Sequence, residues 1–322
     1  MSTPQLFIGL IAASILLSDA GEVNAQAYPT KPLRFITGSA GSGADFASRI
    51  FAQGLTAAWG QPVVVENRGA GSVVVAPMVA SAPPDGYTLL FFGSSIWMTP
   101  LMRERAPYDP LKDLAPVTLA VSSPSVLVVH PSVAVNSVKE LIALAKAKPG
   151  ALNYASTGPG SVSHLASELF KAMAGVDVMR INYKGTAPAT TDLLAGAVQL
   201  AFTTTTAAGP HIKNGKLKAL AVASVKPSAL MPGMPTVAAS GLPGFEASST
   251  QGMFAPGKTP PALVNRINRE LVRILATADA KERLFNTGVE VVGSTPEQFV
   301  ATIKSDWSRL GKVIRDAGIR EE

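Results

Sequence analysis

Short apolar runs alternate along this chain with longer segments whose apolar positions recur every three or four residues. Leu33 to Ile36 is the first such run. Behind it, Phe46, Ala47, Ile50, Phe51 and Leu55 fall on one face of a helix. Val63 to Val65 reads as a strand and Ser72 to Ala80 as a short helix. Tyr87 to Phe92 is a strand announced by the turn Pro83-Pro84-Asp85-Gly86. The alternation breaks once. Val117 to Ala120 and Val126 to Val129 are separated only by Val121, Ser122-Ser123-Pro124 and Ser125, with no helix between them. That break marks a crossing between domains.

Alternation then resumes. Helical spacing covers Val138 to Lys146, Val162 to Met173 and Pro188 to Leu194. Strands are expected at Leu152 to Ala155, Val178 to Ile181, Val198 to Phe202 and Leu217 to Ala223. A Pro- and Gly-rich loop runs from Lys226 to Gly244. The rest is mostly helical, Pro261 to Ala276 and Pro296 to Ala317, around a short strand at Val289 to Val292. Pro260-Pro261 and Thr295-Pro296 are helix-start signals. Strands alternating with helices predict parallel α/β sheets.

The N-terminus needs separate treatment. Leu6 to Leu17 is apolar but too short to span a bilayer. The Ala25-Gln26-Ala27 pattern before Tyr28 completes an export signal, expected to be cleaved after Ala27, although its first residues lack Lys and Arg. That segment carries Asp19 and Glu22 and no basic side chain. Its removal leaves 295 residues and raises the formal net charge from +6 to +8. The basic residues are scattered, without aromatic interleaving, which argues against nucleic acid as a partner and for mild attraction of anions. With no cysteine there is no disulfide, thiol chemistry or lipoprotein anchor. A periplasmic protein is the expectation.

Five loops share one design, small residues between a strand end and a helix start. They are Ser39-Ala40-Gly41-Ser42-Gly43-Ala44-Asp45, Gly93-Ser94-Ser95, Ser156-Thr157-Gly158-Pro159-Gly160-Ser161, Lys184-Gly185-Thr186-Ala187, and the hydroxyl run Thr203 to Thr206. In parallel α/β sheets such loops lie where ligands bind. Each helix start offers free N–H donors and the positive end of a dipole, worth about 0.3–1 kcal/mol when exposed. Two or three of them converging would hold a carboxylate without an arginine. Any one of these loops, alone, is equally a plain tight connection.

Enzyme chemistry finds less support. Gly41-Ser42-Gly43 lacks the third glycine of a dinucleotide loop, and neither a phosphate loop nor a GxSxG nucleophile elbow is expected. His130, His164 and His211 show no metal spacing, so no metal and no cofactor are expected. His164, near Ser161 and Ser163, would be the base of a hydrolase. A helix-start histidine that braces its loop explains it more simply. Asp45 is expected to act at its helix start, where the dipole favours an acid, ahead of touching a ligand amine.

Further residues carry a resemblance. Tyr28-Pro29, Pro32-Leu33 and the first loop with Asp45 and Arg49 are followed in order by Glu66-Asn67-Arg68-Gly69-Ala70-Gly71, Pro84 to Leu90 and Asp113 to Val117. Tyr154 to Ser161 with His164-Leu165 and Glu168 comes next, then Tyr183-Lys184-Gly185, Pro188-Ala189 and Asp192 to Gly196. Pro235-Thr236, Gly241 to Gly244 and Ser294 to Phe299 close the set. The chain resembles the extracytoplasmic receptors of tripartite tricarboxylate transporters, the Bug-type solute-binding proteins, over essentially its whole mature length. It departs from their pattern in the first loop, where Ala40-Gly41-Ser42-Gly43 replaces a Pro-Gly-Gly core, and at Gln199, Ala239 and Thr250.

The resemblance implies an α/β two-domain Venus-flytrap fold of the periplasmic binding protein type, with mixed, mostly parallel sheets flanked by helices. Domain 1 is expected at residues 28–122 and 252–322, domain 2 at 123–251. It implies a monomer that captures a small carboxylate and passes it to two membrane subunits. A sensor for a signalling partner is the alternative. The candidate ligand-binding residues are Ser39, Ala40, Gly41, Ser42, Gly43, Ala44, Asp45, Ser94, Ser95, Ser156, Thr157, Gly158, Gly160, Ser161, His164, Thr186, Ala187, Thr203 and Thr204. Phe92, Trp97, Thr205, Thr206, Thr250 and Met253 are candidates for the distal end of the pocket, with Ser95, and Lys184 is the best cationic one.

Overall fold

A computed structural model describes residues 28–320 apart from 159. The expected export signal, its cleavage site and Pro159 lie outside them. The chain opens with strand–helix units: β1 (Leu33–Thr37), α1 (Gly43–Trp59), β2 (Val63–Asn67), α2 (Ser72–Ala80), β3 (Thr88–Gly93) and α3 (Ser95–Met102). β1 pairs in parallel with β2 and β3. β4 (Leu114–Val129) follows as one continuous strand, so the two apolar runs expected on either side of a crossing are a single element.

The second lobe comprises α4 (Val138–Ala147), β5 (Asn153–Ser156), α5 (Val162–Ala174), β6 (Met179–Asn182), α6 (Thr186–Leu194), β7 (Leu200–Thr204), α7 (Thr205–Lys213) and β8 (Lys218–Val222). β9 (Ser248–Pro256) then leads back to α8 (Pro261–Ala276), α9 (Ala278–Phe285), β10 (Glu290–Val291) and α10 (Pro296–Asp316). The strand order is β2-β1-β3-β9-β4-β7-β5-β6, with β8 and β10 also on β4. The outer pairs are parallel, whereas every pairing of β4 is antiparallel. The mixed sheet therefore carries more antiparallel pairing than strand–helix alternation suggests.

β4 organises both lobes. Its first half pairs with β9, down to Pro124 opposite Ser248, and its second half, from Ser125, pairs with β7 and β8. Helix boundaries follow local chemistry. Ser42, Ser137, Ser161 and Thr204 each accept a bond from an N–H in the first turn, and Thr295 with Gln298 forms a reciprocal capping box on α10. One core lies between the first-lobe strands and α1 and α8, around Phe35, Phe51, Phe91, Met253 and Ile267. A second, between β7 and α6, centres on Val126, Ala155, Leu193 and Ala201. The largest core runs through both lobes, from Trp97 and Phe299 to Phe170, Phe202 and Phe245. Trp97, Phe254 and Phe299 pack against one another in tilted and edge-to-face pairs at 4.9–6.1 Å.

Candidate functional site

All five small-residue loops stand at strand ends, those of β1, β3, β5, β6 and β7. The first runs from β1 into α1. Asp45 is buried, and its carboxylate accepts the Gly41 N–H (2.9 Å), the Asn67 side-chain amide (2.9 Å) and Arg49 Nε (3.0 Å). The Asn67 bond, then the Gly41 amide, hold its carboxyl below the usual range, with Arg49 adding to them and burial opposing. Its oxygens are thus committed to the loop, the helix-start role expected of it, and not to a ligand. Gly41 turns at φ +75°, a conformation that side chains resist. Ser39, Ala40, Gly41 and Gly43 are exposed. A Cβ on Gly43 would lie 3.9 Å from Gln251 Nε2 on β9, which places this loop beside the crossing strands.

The second and third loops meet across the lobes. Gly93, Ser94 and Ser95 from one side, and Gly160 and Ser161 from the other, line a cleft of about 310 Å³. Ser249 joins them from β9, and Met98, Thr99, Met102, Val162 and Leu165 complete the walls. Its size suits a small ligand. Its lining contains no Lys or Arg. Gly160 sits so close to the first lobe that a Cβ there would come 2.7 Å from Met102 Sδ. The N-termini of α3 and α5 both open here, with first-turn amides that have no partner inside their helices.

The third loop is braced by its own helix. His164 Nδ1 accepts the Gly160 N–H at 3.1 Å, and Ser161 Oγ donates to the Gly158 carbonyl at 2.8 Å. Ser163 Oγ accepts the Thr157 N–H at 3.0 Å and shares a 3.0 Å bond with Ser161 Oγ. Burial, with the Arg180 charge adding to it, pushes the His164 imidazole down to about 4. Because Nδ1 is an acceptor from backbone and the ring is neutral, it does not address either serine hydroxyl. The only Ser161 contact to this residue is from the His164 main-chain N–H. The hydrolase arrangement is therefore absent from these side chains.

The fourth and fifth loops approach the third. Thr157, Ser163, Thr186 and Thr203 surround a small cavity of about 10 Å³ beneath it, while Ser156 is fully buried. Thr204 is used in capping α7 and in a 3.1 Å bond with Thr206. Ala187 and Lys184 are exposed and line none of these spaces. Among the distal candidates, Trp97 and Met253 are correctly placed in sequence but belong to the core, both fully buried. Met98, Met102, Leu165 and Ser249 were not foreseen in the cleft. The two methionines had a usable signal, an i, i+4 pair on the helix that follows the second loop. Gln251 was not foreseen either, and its Oε1 is buried without a partner.

One literal match to the phosphate-loop pattern is present after all, Gly252-Met253-Phe254-Ala255-Pro256-Gly257-Lys258-Thr259. Its first five residues are the buried end of β9, and a Cβ on Gly257 would collide with the Lys112 carbonyl. No concave loop of amides exists there, so the match binds no phosphate. Among the described residues, no group of three or more His, Asp or Glu is placed to hold a metal ion, and no helix is long and apolar enough to cross a membrane.

Known proteins are similar to this chain in sequence and in fold. The protein BugT of Bordetella pertussis is 36% identical over 321 residues, 97% of this chain and 98% of its own. The solved structure of Rpa4515 from R. palustris with adipate is 33% identical at a TM-score of 0.73, covering 91% of this chain and 99% of that one. MatC from Rhodopseudomonas palustris with bound malate is 28% identical at a TM-score of 0.69, over 89% of this chain and 100% of that one. The family model described as the tripartite tricarboxylate transporter family receptor matches residues 47–319. With its two lobes, shared crossing strands and interlobe cleft, the chain belongs to the tripartite tricarboxylate transporter family of receptors.

Proposed function

We propose that this receptor is exported to the periplasm, loses its first 27 residues, closes as a monomer on a small carboxylate and delivers it to two membrane subunits of a secondary transporter. The observation that carries this is the pair of opposed loops, Gly93–Ser95 and Gly160–Ser161, across a cleft of about 310 Å³. Each loop opens a helix, and the lining has no basic side chain. A carboxylate suits that site, because amide donors and two helix dipoles neutralise one negative charge while hydroxyls accept or donate around it. The adipate and malate carried by the two neighbours are carboxylates as well. The lobes would hinge where β4 and β9 cross, which supports domains at 28–122 with 252–322, and at 123–251. A ligand gripping both lobes stabilises the closed state by its differential contacts.

Thermal unfolding of the refolded mature chain against mono-, di- and tricarboxylates tests the reading, with the neutral amide of each hit as control. Refolding removes carried-over ligand. A ligand at 100 times its Kd adds about 2.7 kcal/mol to the stability, a clear rise in midpoint, and the amide adds none. A panel without any shift rejects a carboxylate receptor.

A further inference from the structure

The cleft does not end at the opposed loops. Ser94, Met98, Val162 and Leu165 also line a second space, a chamber of about 40 Å³ enclosed by α3, α5 and α10. These four residues line both spaces, so the chamber adjoins the cleft directly. The chamber has room for about three water-sized groups. Its near walls are Met98, Leu165, Ala166 and Leu310, all apolar and buried. Methionine reshapes readily around an irregular guest.

The far wall is charged, and its charges are paired with one another, although the Arg309 Nε–H is buried without a partner. The Arg309 guanidinium donates to Asp306 Oδ1 (2.5 Å), Glu246 Oε2 (2.9 Å) and the Glu246 carbonyl (2.8 Å). The second oxygen of Asp306 takes the Trp97 indole N–H at 2.8 Å. Two carboxylates share one guanidinium, which leaves a net negative wall. A second ligand carboxylate entering here would meet that net negative charge, and the one guanidinium present is already shared by two carboxylates, in a setting where solvent screens poorly. A hydrocarbon end carries no charge to be repelled, packs on the apolar near walls and gains by leaving water.

We infer that the ligand is a monocarboxylate with a short apolar tail, its carboxylate at the opposed loops and its tail in the chamber between α3, α5 and α10. This rests on the carboxylate-receptor reading above. It separates this receptor from a site built for two carboxylates, such as an adipate or malate site.

Isothermal titration of the refolded mature chain with pairs of equal carbon count tests it: butanoate against succinate, hexanoate against adipate, and 4-methylbenzoate against terephthalate. The monocarboxylate of the best pair is expected to bind at least tenfold more tightly. Thr302→Lys, which sets a cation in the chamber from the solvent-facing side of α10, is expected to shrink that ratio at least tenfold. Dicarboxylates binding as tightly as their partners overturn the inference and leave the carboxylate reading standing. An unchanged ratio in a folded Thr302→Lys protein also overturns it, since the tail then lies elsewhere. Binding by no carboxylate overturns the receptor reading and the inference together.

Discussion

Asp45 and His164 do the same work on opposite sides of the cleft. Each sits in the first turn of a helix and takes the N–H of a loop glycine, Gly41 or Gly160, four residues earlier in the chain. Each therefore fixes a loop whose other amides are left for a ligand. Asp45→Ala leaves the Gly41 and Asn67 donors without their acceptor. Urea unfolding is expected to show a loss of about 1–3 kcal/mol. Because the Asp45 carboxyl lies below its ordinary range, its stabilisation is complete above about pH 4 and is lost as pH falls through the folded value. The gap between wild type and Asp45→Ala is thus constant from pH 7 to 5 and closes in stronger acid. His164 acts in the same direction but in a higher pH window. The unfolded chain takes a proton near pH 6.5 and the folded one only near 4. Stability therefore falls as pH is lowered from about 6.5 to 4, by up to roughly 3 kcal/mol. In His164→Gln, whose side chain still accepts the Gly160 N–H, that slope disappears. Both roles were legible in the sequence, since a helix start and its own loop lie within a few residues. Trp97 and Met253 were not, because their burial depends on Phe299 and Ala47, far away in the chain.

β9 shows why some elements escape a reading by pattern. Its first half, Ser248-Ser249-Thr250-Gln251-Gly252, is small and polar, and its second half is buried on both faces, so no alternation announces a strand. Pairing on two sides, with β3 and β4, holds it in place instead. Helix starts were expected after the second and fifth loops, but no helical span was read for α3 or α7, for related reasons. α3 is buried nearly all round and carries Pro100, while α7 contains Gly209-Pro210, a loop signal. The loops before them were legible, because small residues after an apolar run are a local feature. Gly252 is the pivotal position on β9. A Cβ there would enter the Phe299 ring and stand 3.0 Å from the Thr118 carbonyl. Phe299 is fully buried and the β4 backbone is fixed in the sheet, so neither has room to give. Gly252→Ala is expected to cost about 1–3 kcal/mol as an overpacked core. A denaturation midpoint equal to that of wild type would show that α10 can move away from β9.

At the scale of the whole molecule, the lobes are joined by β4, β9 and α10, and by Glu290 of β10, whose carboxylate accepts from Ser228 Oγ and the Ala229 N–H. The strands cross singly, which permits bending, while α10 packs on α3 of one lobe and α5 of the other within one continuous core. Arg309 is the polar tie in that contact, linking α10 to Glu246 at the foot of β9. The break in strand–helix alternation located the crossing in the sequence, but nothing local announced this tie, because Glu246 and Arg309 are 63 residues apart. Arg309→Gln would leave two partly buried carboxylates side by side. The loss lies between that of a surface pair and that of a buried one, about 2–3 kcal/mol at pH 7.5. Its pH dependence identifies the cause. Burial already raises the Glu246 carboxyl above its ordinary value, with Arg309 pulling it back and Asp306 pushing with the burial. Removing the guanidinium raises it further. A carboxyl raised on folding is penalised above its folded pKa and relieved as it protonates. The deficit of Arg309→Gln should therefore shrink as pH falls from 7.5 toward 5, while the wild type, losing its His164 contribution, moves the other way. A deficit that stays constant over this range would assign the effect to lost packing of the arginine stem, and α10 would then be a strut held by its apolar face alone.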